Sequence, residues 1–398
     1  MPGDGPGRNG RNGRDEIVEF GGGRSPGRRW VPRALLACLV VAAVVTVAVR
    51  GLGHHTRPAA RGAAVPAQPP PLRVTIVGHP LLGVTAGWEL FARGPDDLLR
   101  IQLAQGRITQ THVPALETAN PDVAFVIGAH EAVIRPSDLV PGYVVPDNGQ
   151  ARLLTGLFAD GGPMIPGPAG SQAAWVTTGP PTSPGLSLVT LTGHRSGPSI
   201  RFQPGGPQLP VTAVSDGRGD VLVITGSYEV YDTGPGWDRP LPGMVIAAGP
   251  AGWLIDVCNA QYTNCHDEVV DIASGSPRAL PGPAPADPYY FSWPPTGVIS
   301  PDGSTAAVAE IGSAGLVTAH LIDLRTGAVR DLNVPLGGPS TSLPLGGANQ
   351  YSMAWSPDGR WLFVAASGGM LVAVDPRTGQ AESLGVRLPA VDQVAIRP

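Results

Sequence analysis

The chain has 398 residues, a formal net charge of −4, 15% charged residues, 55 glycines and 45 prolines. A weakly acidic chain offers no electrostatic footprint for nucleic acid, which calls for a basic patch or stripe, so nucleic acid is not expected among its partners. Glycine and proline at this density belong either to disorder or to very many turns. The runs between them, such as Val221-Leu222-Val223-Ile224-Thr225 and Trp361-Leu362-Phe363-Val364-Ala365, select turn-rich β structure.

Residues 1–33 are rich in Gly, Arg, Asn and Pro, with too few apolar groups to offset chain entropy, which predicts a disordered tail. Within it, Glu16-Ile17-Val18-Glu19-Phe20 is the one patch suited to docking on a surface. From Ala34 to Val49 the chain is apolar and uncharged, and with its flanks the stretch 34–52 reads as a transmembrane helix, long enough for a hydrocarbon core of about 30 Å. Arg8, Arg11, Arg14, Arg24, Arg28, Arg29 and Arg33 precede it, against Arg50, Arg57 and Arg61 just after it. The positive-inside rule then predicts a single-pass cell-membrane protein with a cytoplasmic tail and an extracytoplasmic body. A cleaved signal peptide is the competing reading, since Arg28-Arg29-Trp30 loosely resembles a twin-arginine signal, but no small-x-small site directly follows the apolar run. Leu35-Leu36-Ala37-Cys38 looks like a lipoprotein box, but the apolar region follows Cys38 where such a box needs it to precede. Residues 53–71, ending in Pro69-Pro70-Pro71, read as a semi-rigid Pro/Ala-rich linker.

The body, residues 72–398, is periodic. Strands run into turns at Gly106, Gly149, Gly193, Gly234, Gly275, Gly327 and Gly379, at a spacing of roughly 41–52 residues, the period of a four-stranded propeller blade. A second strand often opens on Trp, at Trp88, Trp175, Trp253 and Trp361, with Val123, Val221 or Ala306 near that position elsewhere. A third strand ends in the Gly turn, as in Ile322-Asp323-Leu324-Arg325-Thr326-Gly327 and Val374-Asp375-Pro376-Arg377-Thr378-Gly379, where Gly accepts positive φ and Asp bonds the turn backbone. The expected fold is an all-β, seven-bladed propeller. Gln393-Val394-Ala395-Ile396-Arg397-Pro398 reads as an inner strand with no blade of its own, and the first blade begins at Trp88 without one. The last strand is therefore expected to complete the first blade and remove two open sheet edges. Residues 72–77 read as an added strand or a lead-in.

Two of the units carry Ser-Pro-Asp-Gly, at Ser300-Pro301-Asp302-Gly303 and Ser356-Pro357-Asp358-Gly359, between an inner and a second strand. Here, over about residues 296–380, the chain resembles the WD-repeat-like β-propellers, including the TolB-like proteins. The resemblance implies a ligand- or protein-binding or scaffolding role at the cell envelope, with a protein or an envelope glycan as partner. TolB-like proteins add an amino-terminal α/β domain where this chain has its apolar stretch, so their partners are not carried over.

Cys258 and Cys265 flank a polar loop and, in an oxidising compartment, are expected to form a disulfide worth about 2 kcal/mol. A zinc site would take these two with His266 and Asp267, but no further well-spaced ligand is evident. His266-Asp267-Glu268 alternate faces on a strand, do not converge on one atom, and read as a solvated hairpin stem. No nucleophile elbow, phosphate-cradling loop or dinucleotide fingerprint is present, so no cofactor, metal or catalytic residue is assigned. Asp302 and Asp358 read as turn caps rather than cation ligands. Tyr289, Tyr290, Phe291 and Trp293 form the densest aromatic cluster of the body, either an exposed binding loop or a lid packed on its own blade. The expected function is binding. The alternative is a glycan- or lactone-acting enzyme, which a cluster of Asp, Glu and His at the channel mouth would favour and an apolar channel would disfavour.

Overall fold

A computed structural model describes residues 16–17, 72–113, 124–135, 142–154, 164–168, 171–178, 185–201, 210–225, 229–234, 241–258, 265–281, 297–311, 317–336 and 352–398. The expected span 34–52, the linker and the aromatic cluster Tyr289, Tyr290, Phe291 and Trp293 lie outside these residues, as does most of the tail. Among the described residues no helix is long and apolar enough to cross a membrane.

The chain folds as an all-β propeller of up-and-down antiparallel meanders. In chain order the strands are β1 (Glu16–Ile17), then β2 (Arg73–Ile76), β3 (Glu89–Arg93), β4 (Asp97–Gln102) and β5 (Arg107–His112). Next come β6 (Ala124–Ile127), β7 (Glu131–Arg135), β8 (Tyr143–Pro146) and β9 (Arg152–Leu153), followed by β10 (Met164–Pro166), β11 (Ala173–Thr178), β12 (Gly185–Thr190) and β13 (Arg195–Arg201). The fourth group is β14 (Pro210–Ser215), β15 (Val221–Thr225), β16 (Glu229–Asp232) and β17 (Leu241–Pro242). The fifth is β18 (Met244–Gly249), β19 (Gly252–Val257), β20 (His266–Asp271) and β21 (Ser276–Ala279). The sixth is β22 (Gly297–Ile299), β23 (Thr305–Ile311), β24 (Val317–Asp323) and β25 (Val329–Pro335). Finally come β26 (Met353–Trp355), β27 (Leu362–Ala366), β28 (Met370–Val374) and β29 (Ala381–Ser383), and the terminal strand β30 (Gln393–Arg397).

Each glycine of the sequence period falls between the third and fourth strands of a meander. Gly106, Gly193, Gly275, Gly327 and Gly379 have positive φ, the left-handed backbone that favours glycine; Gly149 and Gly234 do not. β30 pairs with β3 in antiparallel register, Glu89 opposite Arg397 and Arg93 opposite Gln393, so the terminal strand supplies the inner strand of the first sheet. β2 adds an outer strand against β5. β1 pairs parallel to β13 on the outer edge of its sheet.

Two expectations need correction. The apolar run after Val123 was expected as a second strand, yet β6 is the first strand of its sheet and β7, from Glu131, the second. Inner and second strands are both short apolar runs, so hydrophobicity read from the sequence does not tell them apart. Nor do all the meanders stand as separate sheets, because β18–β21 and β22–β25 form one eight-stranded sheet through a parallel pairing of Ala247 with Gly297 and Ala248 with Val298. A Cβ on Gly297 would lie 2.6 Å from the Ala247 Cβ and the Ile246 carbonyl oxygen, so a glycine there permits the two inner strands to meet.

The core lies between sheets. Trp88, Leu90 and Leu99 pack with Phe363, Ala365 and Val394, which joins the last meander to the first. Phe91 and Leu98 pack with Ile134 and Tyr143 of the next sheet. Val126 and Val133 meet Met164 and Val176, and Leu222 and Ile224 meet Trp253 and Ile255. Leu254 and Val269 meet Ala306 and Val308, and Ala307 and Leu321 meet Leu362 and Val364. Each fully buried Leu, Ile or Phe of this kind contributes about 1.5–3 kcal/mol relative to an exposed one. Trp nitrogens stitch neighbouring sheets as well, Trp175 to the Gly219 carbonyl at 2.7 Å and Trp355 to the Val298 carbonyl at 3.1 Å.

Candidate functional site

The inner strands β10, β14, β18, β22, β26 and β30 surround a cavity of ≈ 330 Å³ lined by small and apolar residues, among them Val214, Val245, Ala247, Val298, Met353, Trp355 and Val394. A second cavity of ≈ 900 Å³ opens beside it and is lined by Glu89, Arg100, His130, Asp147, Ser171, Arg218 and Arg397. Pro166, Ser215, Gly217 and Ile396 line both, so an apolar channel leads into a polar mouth.

The register of β3 against β30 builds the mouth. Arg397, opposite Glu89, donates through Nε at 2.9 Å and through Nη2 to Glu89 Oε2, and stacks its guanidinium 4.7 Å from the Phe91 ring centroid. It also reaches the next sheet, donating to Asp147 Oδ1 at 2.9 Å, to Asp147 Oδ2 at 2.8 Å and to the Gly128 carbonyl at 3.1 Å. Arg100 on β4 donates to Glu89 Oε1 at 2.6 Å and lies 3.4 Å from Asp147 Oδ2. Gln102 donates to Glu89 Oε1 at 2.8 Å. Two guanidinium groups thus face two carboxylates in planar, multidentate geometry. Burial would push Glu89 up, but the hydrogen bonds and charges of Arg100 and Arg397 outweigh it and hold Glu89 below the ordinary Glu range. The same carboxylates hold Arg397 above its ordinary value against the effect of burial. A carboxylate kept ionised and occupied by donors is poorly placed to move protons at neutral pH. The opposite end of the same strand pair is closed by the buried Arg93, which donates to Gln393 Oε1 at 2.7 Å.

The structure brings few of the sequence-expected residues to this mouth. Cys258 and Cys265 do form a disulfide, with Cα atoms 4.0 Å apart, at the β19–β20 end of their meander. His266 and Glu268 share an exposed face, 3.0 Å apart, but Asp267 points to the other face and is only 8% exposed, so the stem is not solvated throughout. In the Ser-Pro-Asp-Gly turns, Asp302 accepts from the Ser300 hydroxyl at 2.6 Å and the Ser304 N–H at 3.0 Å, and Asp358 from the Ser356 hydroxyl at 2.6 Å and the Arg360 N–H at 3.1 Å. The Ser300 hydroxyl is the leading cause that holds Asp302 below the ordinary Asp range. Gly303 and Gly359 take positive φ, and Ser300 and Ser356 accept the N–H of Thr305 and Trp361. These aspartates cap turns; Pro301 alone of the two motifs lines the channel. Sequence reasoning missed Glu89, Arg100, Asp147 and Arg397. The pairing of the terminal strand with the Trp88 strand already placed Arg397 near Glu89, and that was the available signal.

No protein-family model matches the chain, and neither does any curated protein. Among solved structures it is similar to TolB from Acinetobacter baumannii, at 14% identity and a TM-score of 0.43, covering 80% of this chain and 68% of that one. It is similar to a Bacteroides fragilis protein assigned as a 6-phosphogluconolactonase, at 14% identity and a TM-score of 0.44, covering 79% and 99%. It is also similar to an oligogalacturonate lyase solved with manganese, at 11% identity and a TM-score of 0.45, covering 77% and 92%. At these scores the likenesses carry no argument about activity.

Proposed function

We propose that this chain is a seven-bladed, membrane-anchored propeller that acts by binding a protein or envelope-glycan ligand at the polar mouth of its channel. The blade count takes the two halves of the eight-stranded sheet as separate blades, in keeping with the seven period glycines. The observation that carries the binding reading is the mouth itself, where Glu89 and Asp147 are occupied by Arg100 and Arg397 and the adjoining channel is apolar. Arg218, exposed on the rim with its charge shared with Asp220 and Asp232, is the cation a ligand would meet there.

Capture of a partner from envelope extract by the full chain, lost with Arg218→Glu, is the expected result. The presence of Glu89, Asp147 and His130 at the mouth is what favours the enzyme reading, and turnover of a lactone or oligosaccharide panel with no captured partner would replace the binding reading with it.

The anchored topology places residues 1–33 in the cytoplasm and residues 72–398 outside. That arrangement and the β1–β13 pairing exclude one another, because Glu16 lies opposite Ile200 in that pairing. A Glu16→Cys, Ile200→Cys chain on a Cys38→Ser background distinguishes them in membranes: no crosslink is expected of the anchored form, and a crosslink overturns it.

A further inference from the structure

The Cys258–Cys265 hairpin holds a cluster that the channel mouth does not use. In the β19–β20 register Asp256 lies opposite Asp267 and Val257 opposite His266. Alternation along the strands therefore puts Asp256, Cys258, Cys265 and Asp267 on one face of the hairpin, and Val257, His266 and Glu268 on the other. The first face is turned inward, where Asp256 is 6% and Asp267 8% exposed. Each of these carboxylates has an Oδ1 buried without a hydrogen-bond partner among the described residues, which is costly unless a proton or a cation supplies it. Asp256 Oδ2 lies 3.5 Å from Cys258 Sγ, and one ligand atom from each of Asp256, Cys258 and Cys265 falls within 4.8 Å of the others.

We infer that opening the Cys258–Cys265 disulfide turns this corner into a binding site for a zinc-type divalent metal ion, with both sulfurs and the Asp256 carboxylate as ligands. Asp267 is the adjacent carboxyl that completes or supports the set. Thiolates with a carboxylate are a donor set that zinc accepts in tetrahedral geometry, at about 2.3 Å to sulfur and about 2.0–2.2 Å to oxygen. The sulfurs of a disulfide are too close together and too poor as donors to serve, so the bond gates the site. The opening step balances as thiol–disulfide exchange: an external dithiol gives two electrons and two protons, is itself oxidised to a disulfide, and leaves two protein thiols. Metal binding then releases the two thiol protons. His266, paired with Glu268 on the opposite face, is not a ligand, so the set differs from one built on the adjacent residues 265–267.

The test uses the full chain carrying Cys38→Ser, so that Cys258 and Cys265 are its only cysteines. It is reduced with a dithiol, freed of reductant without oxygen, and titrated with Co²⁺ as the spectroscopic probe. One Co²⁺ per chain is expected, with a thiolate-to-cobalt charge-transfer band and tetrahedral visible absorption, displaced by Zn²⁺ and absent before reduction. Asp256→Asn is expected to weaken binding by about tenfold or more, and Cys258→Ser with Cys265→Ser to abolish it, each with an unchanged far-UV spectrum. Reduced protein that takes up no Co²⁺, uptake that is equal before and after reduction, or an Asp256→Asn affinity equal to that of the parent chain would each overturn the inference.

Discussion

Two pairs of carboxyl groups in the molecule are treated in opposite ways. At the channel mouth, Glu89 and Asp147 meet Arg100 and Arg397, and Glu89 stays ionised below its ordinary range although burial works against it. In the β19–β20 hairpin, Asp256 and Asp267 face each other, and no arginine among the described residues acts on either. Burial pushes Asp256 up to about 6, His266 working against it, and Asp267 to about 7, with the Asp256 charge adding to the second shift. The contrast teaches that burial alone does not set the state of a carboxyl group. The charged partners decide: Arg100 and Arg397 outweigh burial at Glu89, burial prevails at Asp256 over His266 alone, and at Asp267 the Asp256 charge adds to burial.

The largest effect that would break this comparison is removal of residues 393–398. It takes away β30, leaves β3 with an open edge and strips Glu89 of Arg397, so limited proteolysis should find the body degraded where the full chain resists. Next comes Arg397→Met, which keeps the strand and removes the charge. It leaves two buried carboxylates sharing Arg100, and denaturant unfolding should record a loss of about 3–5 kcal/mol.

In the hairpin the sign reverses. Both aspartates hold protons in the folded state at pH values where the unfolded chain has released them, so the folded state binds more protons between about pH 4 and about pH 7. Stability contributed by this pair is therefore present at low pH and lost as pH rises through the raised values. In the oxidised protein Asp267→Asn should be more stable than the parent at pH 8, by on the order of 1–3 kcal/mol, with the advantage shrinking toward pH 5. Thermal unfolding at the two pH values checks this. The smallest effect is that of Ser356→Ala, which removes the hydroxyl that donates to Asp358 and accepts from Trp361. A loss of about 1 kcal/mol in unfolding free energy is expected, read by denaturant unfolding.

Much of the fold was legible because its signals are local. The period glycines mark the turns between third and fourth strands, the Ser-Pro-Asp-Gly aspartates cap their own turns, and the orphan strand at the carboxyl end has a vacant place beside Trp88. What was not legible depends on approach between elements far apart in the chain. The merging of β18 with β22 rests on the absence of a side chain at Gly297, which in the sequence is one glycine among 55. The mouth was half readable: the terminal strand pairing leads from Glu89 to Arg397, but Asp147 joins them only through the position of the next sheet. In the hairpin, the alternation of His266, Asp267 and Glu268 was read correctly. Which face turns inward was not, because that depends on the neighbouring sheets rather than on the strand itself.

The claim that Arg397 closes the ring by neutralising buried acid is tested most directly by a double-mutant cycle of Glu89→Gln and Arg397→Met, followed by denaturant unfolding of the full chain. Compensation predicts that the double variant loses less than the sum of the single variants, with a coupling of about 2 kcal/mol or more. Losses that simply add would contradict it.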